Sequence, residues 1–288
     1  MLSYLHSFHA GNFADVHKHA VLHLVLDHLT RKKSPLAMID LYAGAGCYSL
    51  NSSEARKTAE AEQGVRRLWP SSSWPPVISS YTHCLTSNNR GINETRATDQ
   101  NELNVYPGSP MQLLARARDT DSLVFNELHP REHESLETLF GRDSRVSIHK
   151  RDAIEAMAAL LPPTEKRGVV LIDPSYELKD DYQKLQQAVI KTTRRWRHGV
   201  YLLWYPLLPA NAHRPMVEGI QRVVDTETLV SELRVPVNGP GMHGSGMLVI
   251  NPTWQLGEKL DGLAPWFARL SESGAVIKNR TTEATKHE

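Results

Sequence analysis

Residues 167–182 read RGVVLIDPSYELKDDY, and the apolar run at 169–172, set between a glycine and Asp173-Pro174-Ser175, decides how the rest of the chain is read. A short run that is apolar at every position, without alternation, is the pattern of a strand covered on both faces, as in a parallel sheet. The same unit recurs on either side. Upstream, "SLVFNELHP" and "RVSIHKRDA" read as strands, while "REHESLETLFG" and "AIEAMAALLP" read as helices, Gly141 closing the first of these. Downstream, "DYQKLQQAVIKTTRRW" is a long helix and "GVYLLWYPL" a further strand. Strands alternating with helices at this spacing predict an α/β fold with a mainly parallel sheet.

Farther out, "DVHKHAVLHLVLDHLT" predicts a helix from Asp15, as N-cap, to about Leu29, and residues 36–41 a short buried strand running into Gly44 and Gly46. "SPMQLLARARD" predicts a helix capped by Ser109, with Pro110 in its first turn. After the helix "RPMVEGIQRVV", "ETLVSELRVPV" and "GMLVINPTW" flank a glycine-rich loop and form a candidate antiparallel hairpin. Residues 51–104 differ in character: polar helical patterns broken by Pro75-Pro76 predict a small inserted helical subdomain, leaving 1–50 and 105–288 as the main domain. The tail "KNRTTEATKHE" is polar and expected to fray.

Lys and Arg number 33 against 32 Asp and Glu, with 14 His, so any binding of a polyanion falls to a local basic face. Candidates are Lys191, Arg194, Arg195 and Arg197 around Trp196, and Arg56, Lys57, Arg66 and Arg67 in 51–104. The two cysteines, Cys47 and Cys84, make no disulfide framework and fit a reducing compartment. No run reaches the roughly 18 apolar residues of a membrane span, and the first residues lack a signal-peptide pattern. A cytoplasmic protein without membrane contact is expected.

Ligands of parallel sheets bind at the carboxyl ends of the strands. Here those ends carry Asp40 with the loop through Gly44 and Gly46, then Asn126-Glu127, then Arg151-Asp152, then Asp173. Glu127 can accept hydrogen bonds from both hydroxyls of a ribose, and Asp152 from an adenine amino group, unless it serves only as a helix N-cap. The dinucleotide pattern of three glycines fails at Ser49, which argues against a nicotinamide enzyme. A pyrophosphate wants amides and few acids; Asp40 beside the glycine loop favours a cationic or zwitterionic group instead. A nucleoside joined to an amino acid, without phosphate, points to S-adenosylmethionine.

Amino-directed methyltransferases carry an acid-Pro-Pro-aromatic loop after the fourth strand, and this chain has Asp173-Pro174-Ser175-Tyr176. An exocyclic amine is a poor nucleophile because its lone pair is delocalised into the ring. The Asp173 carboxylate and the Pro174 carbonyl can accept its two hydrogens, aim the lone pair and stabilise the charge that develops. Tyr176 offers a face for the base. Ser175 replaces a proline, but neither proposed acceptor lies on it, so a looser rather than inactive loop is expected.

The stretches "MLSYLHSFHAGNFADVHKH", "DLYAGAG", "YPGSP", "NELHP", "RGVVLIDPSYE" and "LWYP", in this order, resemble the RlmJ family of bacterial 23S ribosomal RNA adenine-N6 methyltransferases, over essentially the whole chain. The resemblance implies a Rossmann-like class I methyltransferase fold with a seven-stranded sheet and an inserted helical subdomain. It also implies donor contacts at Lys18, His19, Tyr42, Ser109, Glu127, Asp152 and Ala153, Asp173 as the catalytic acid, and Tyr4, with His6, beside the RNA. Family members carry His in place of Tyr42 and Gly in place of Ala153. The histidines at 6, 9, 17, 19 and 23 lack the Glu of a zinc-helix motif, so no metal site is expected; they are read as facing the donor carboxylate or RNA phosphate. One copy of the chain acting on naked or partly assembled 23S RNA is the expectation. The alternatives are DNA adenine methylation, or a catalytically weakened nucleic-acid-binding homologue linked to use of external DNA.

Overall fold

Alternation along the strands builds the molecule. In the computed structural model, which describes residues 4–69, 73–96, 102–178, 180–236 and 241–284, Val169 and Leu171 enter one apolar cluster while Val170 and Ile172 enter another on the opposite face. The strands are β1 (Ala37–Asp40), β2 (Cys47–Ser49), β3 (Val105–Pro107), β4 (Ser122–Asn126), β5 (Val146–His149), β6 (Gly168–Ile172), β7 (Val200–Leu207), β8 (Thr228–Arg234), β9 (Gly244–Ile250) and β10 (Val276–Thr282). The helices are α1 (Phe13–Leu29), α2 (Ser53–Thr58), α3 (Val65–Leu68), α4 (Ser79–Arg96), α5 (Ser109–Arg116), α6 (Pro130–Phe140), α7 (Ala153–Leu160), α8 (Asp181–Arg195), α9 (His213–Val223), α10 (Leu256–Gly262) and α11 (Ala264–Ala268).

The main sheet runs β10-β8-β9-β7-β6-β1-β4-β5. Strands β5, β4, β1, β6 and β7 are parallel, and β9, β8 and β10 follow antiparallel, β8 and β9 forming the expected pair. The sheet therefore has eight strands, not seven. The eighth, β10, runs into the stretch from Lys278 expected to fray: residues 276–282 pair with β8 throughout. Its residues are mostly exposed, so it is held by its backbone ladder at the sheet edge rather than by a buried face, which is why its sequence is polar.

Helix α1 lies on the sheet and is buried along nearly its whole length, polar residues included. Its cap is Asn12, not Asp15: the Asn12 side chain accepts from the Ala14 and Asp15 amides at 2.9 Å each. Asp15 is thereby displaced into the first turn and released for another task. Likewise Ser109 is the first residue of α5, and Gly108 holds the cap position. Between β2 and β3 the regular structure of the described residues is helical. β2 and β3 themselves pair antiparallel, Cys47 opposite Pro107, a two-stranded clasp too short to be read from sequence.

Candidate active site

Strand register sets the level of the site. Asp40 of β1 lies opposite Phe125 of β4 and Leu171 of β6. Two residues beyond that row stand Tyr42, Glu127 and Asp173, at one height on the carboxyl edge. β1 is also where the chain order reverses, with β4 on one side and β6 on the other. The Asn126 amide fixes these ends, donating to the Leu41 carbonyl at 3.1 Å and the Arg151 carbonyl at 3.0 Å.

A cavity of about 850 Å³ opens there. Of the residues singled out from sequence, Tyr4, His6, Lys18, His19, Tyr42, Gly44, Ser109, Glu127, Asp152, Ala153, Asp173, Pro174 and Tyr176 line it. Asp40 and Gly46 do not. Asp40 is fully buried behind the wall; its Oδ1 accepts from the Tyr42 amide at 3.2 Å, its Oδ2 has no partner, and burial pushes its carboxyl up to about 7. Gly46 turns the chain at φ +80°, and a Cβ there would meet the Phe140 ring at 2.7 Å, so it serves packing.

Glu127 is oriented by the backbone: its Oε2 accepts from the Gly44 amide at 2.8 Å and its Oε1 from the His129 amide at 2.7 Å. Asp152 does cap α7, its Oδ1 accepting from Ile154 at 2.9 Å and Glu155 at 3.2 Å, which leaves Oδ2 uncommitted. His19 donates or accepts through Nδ1 at the Tyr106 hydroxyl, 2.5 Å away, while its buried Nε2 has no partner. The two strand-end carboxylates as acceptors, the side-chain-free Gly44 and the amides that open α5 as donors form a set suited to a nucleoside with an amino-acid end, in a cavity of sufficient size. The residues present fit S-adenosylmethionine.

On the other side of the cavity lies a charged cluster. Lys18 Nζ donates to Asp15 Oδ1 at 2.8 Å and also to Asp173 Oδ2. Asp15 Oδ2 accepts from His6 Nε2 at 2.9 Å and from the Gly11 amide at 2.8 Å, and His6 Nδ1 shares a hydrogen bond with the Tyr4 hydroxyl at 2.9 Å. Burial opposes every charge here. The ammonium of Lys18 nevertheless stays above its ordinary value because Asp15 and Asp173 flank it. Burial would raise Asp15, yet His6 and Lys18 outweigh it and hold the carboxyl well below the usual range. Among the described residues Asp173 Oδ1 and the Pro174 carbonyl have no partner.

Tyr176 sits at φ +52°, a costly conformation for an aromatic residue. Its hydroxyl donates to the Trp204 carbonyl at 2.7 Å, and Tyr182 stacks on its ring with centroids 4.3 Å apart. Only the other face can meet a base. Ser175 is exposed, and its side chain has no hydrogen bond among the described residues.

Three sequence readings are corrected. His17 and His23 face neither ligand nor phosphate: both are fully buried in α1, His17 between Ser245 and Ser231 at 3.0 Å each, His23 between Ser80 and Gln112. Trp196 is core, 5% exposed, and the cations around it lie at the end of α8, on the edge opposite the cavity, where Arg195 donates to Ala158 O and Arg197 pairs with Asp225. Arg66 is spent on Leu103 O, Glu62 and Asn51, and Arg67 on Arg269 O, which leaves Arg56 and Lys57 exposed on α2 beside the N-terminal segment. Two site residues escape the sequence reading: Asp15, which the sequence presents as a cap, and Glu132, a buried acid lining the cavity whose carboxyl burial and then Glu127 push up to about 7. A run of acids along one surface helix gives no sign that one of them turns inward.

A Rossmann-like sheet of this order, with a cavity at the switch point and an acid-Pro-x-aromatic loop after β6, defines a class I methyltransferase fold. Residues 33–280 match the family described as "Ribosomal RNA large subunit methyltransferase D, RlmJ", and the chain belongs to that family. It is 38% identical over 268 residues to Ribosomal RNA large subunit methyltransferase J of Escherichia coli (strain K12), covering 92% of each chain. Identity to the protein of the same name from Haemophilus influenzae is 37% over 271 residues, 93% of this chain and 94% of that one. The crystal structure of protein LPL1258 from Legionella pneumophila is similar throughout: TM-score 0.84, 28% identity, 96% of this chain and 99% of that one.

Proposed function

We propose that this chain transfers a methyl group from S-adenosylmethionine to the N6 amino group of an adenine in 23S ribosomal RNA. The observation that carries the reading is Asp173, held at the carboxyl edge by the Lys18 ammonium, with one carboxylate oxygen and the neighbouring Pro174 carbonyl left open to the cavity. S-adenosylmethionine supplies an electrophilic methyl group on a positively charged sulfur. Glu127 and Asp152 accept hydrogen bonds from its nucleoside, and the Ser109 and His19 end of the cavity takes its amino-acid end. Asp173 Oδ1 and Pro174 O accept the two amino hydrogens of adenine, which aims the nitrogen lone pair and stabilises its growing positive charge. Lys18, bonded to the other carboxylate oxygen, holds Asp173 in place for that purpose. The open face of Tyr176 stacks on the base, which must leave its helix to enter.

Segment 51–104 is read as an inserted helical unit whose exposed cations, Arg56 and Lys57, meet RNA phosphates near the mouth. The proposal includes a cytoplasmic protein acting as a single copy on naked or partly assembled RNA; no helix among the described residues is long and apolar enough to cross a membrane. The test is transfer of labelled methyl to unmodified 23S RNA and, in parallel, to a DNA duplex. Label recovered as N6-methyladenine from RNA alone is the expected result. Label in DNA would move the substrate class, and label in neither, from protein that binds the donor, would mark a non-catalytic binding protein.

A further inference from the structure

Two carboxylates hold Lys18, and the mechanism above uses only one. Asp15 is 1% exposed, in the first turn of α1, and caps nothing, since Asn12 already does so. Three donors converge on it: the Lys18 ammonium at 2.8 Å, His6 Nε2 at 2.9 Å and the Gly11 amide at 2.8 Å. A buried carboxylate is costly unless it is fully bonded, so a fold with no use for it would do better with an apolar residue. We propose that Asp15 is a positioning residue for methyl transfer: it fixes the Lys18 ammonium against Asp173 and, through His6, seats Tyr4 over the cavity. The inference rests on the methyltransferase reading and goes beyond it.

The geometry assigns each part. Lysine is a point charge on a flexible stem, and Asp173 alone would leave its rotamer open. Asp15, three residues earlier on the same helix, claims a second donor and fixes the ammonium. The loop after β6 is thus referred to the rigid helix α1. Asp15, Asp173, Lys18 and His6 form a quartet that is neutral only when His6 is protonated. His6 faces Asp15 and Lys18 of α1, the Tyr4 hydroxyl, the Tyr48 ring edge-on with centroids 5.0 Å apart, Glu132 of α6 and, farther off, Asp173. Burial disfavours its charge, and Asp15 overcomes this, leaving the imidazole above its ordinary value. It therefore keeps its proton to higher pH than an ordinary imidazole and loses it as pH rises further. The quartet then gains a net negative charge and releases the segment, so turnover falls on the alkaline side.

The test compares wild type with Asp15→Asn, each also in a Lys18→Gln background. Asp15→Asn should lower kcat about 100-fold, the cost of an ångström-scale misplacement, with donor Kd within about threefold. Its alkaline limb should move to lower pH, because His6 is left with burial and no carboxylate. Adding Asp15→Asn to Lys18→Gln should cost much less than it does alone. Turnover near that of wild type, a pH profile scaled but not moved, or full additivity with Lys18→Gln would overturn the proposal. Should the variants fail to fold, the titration of His6 in wild type, read by NMR of ¹⁵N-histidine-labelled protein, decides: a value below the ordinary 6.5 overturns it. Wild type that labels no polymer sinks the functional reading instead, and the same titration still decides whether Asp15 holds the segment.

Discussion

Asp173 has two oxygens with different fates, and that asymmetry decides what its substitution does. Oδ2 belongs to Lys18, while Oδ1 is open. Asp173→Asn keeps the shape but presents an amide that can offer an N–H where an acceptor is needed. Transfer should fall by at least about 100-fold, as for other lost electrostatic partners, while donor affinity, measured by calorimetry, changes little. A variant that still methylates at near wild-type rate would remove Asp173 from the mechanism. Ser175 is the opposite case: exposed and without a side-chain bond among the described residues. Ser175→Pro should keep the rate or raise it by up to about threefold through a stiffer loop; a marked fall in single-turnover rate would give the serine a role of its own.

Helix α1 shows how far an element can be read from its sequence and where the reading stops. Its apolar spacing was legible, but its first turn was not, because Asn12 and Asp15 are both good caps and only the tertiary partners of Asp15 decide between them. Asn12 also donates to Glu60 at 2.9 Å, tying the helix start to the residues after α2. Asn12→Ala should therefore cost about 1–2 kcal/mol in denaturant unfolding, and a loss below about 0.5 kcal/mol would show the cap to be dispensable. The strand-helix units were legible because each carries its own period. β10 was not, since an edge strand with exposed side chains reads as a tail, and β2 and β3 were not, at three residues each. For the site, the strand-end acids could be found from sequence because topology puts them on one edge. The His6–Asp15 and Lys18–Asp173 contacts could not, because they exist only once the N-terminal segment and the loop after β6 fold onto α1.

Across the whole molecule, buried titratable groups set the response to pH. Burial holds His17 and His23 at about 3 and depresses His19, so all three are neutral when folded and take up protons on unfolding below about 6.5. Their share of stability is lost as pH falls. Asp40 and Glu132, raised to about 7, act in the opposite sense: their share is present in acid and lost as pH rises toward 7. Three histidines outweigh two acids, so the unfolding free energy should decline from pH 6.5 downward, and more steeply once the acids of the unfolded chain also protonate. His23→Gln removes one of those protons and should flatten the decline by about 1.4 kcal/mol per pH unit; an unchanged slope in urea titrations would show that His23 is not neutral in the fold.

Trp204 lies half-buried on the cavity wall, its indole N–H donating to Ser245 at 3.0 Å and its carbonyl accepting the Tyr176 hydroxyl. Trp74, Trp196 and Trp266 are shut in the core, Trp69 packs against Trp74, and Trp254 is 74% exposed; none of these five lines the cavity. The protein thus carries a native optical reporter one side chain away from the base platform. Adenine settling on Tyr176 changes the quenching and polarity around a single indole, and occupancy of the site can be followed in real time, without label or turnover, with Trp204→Phe as the blank.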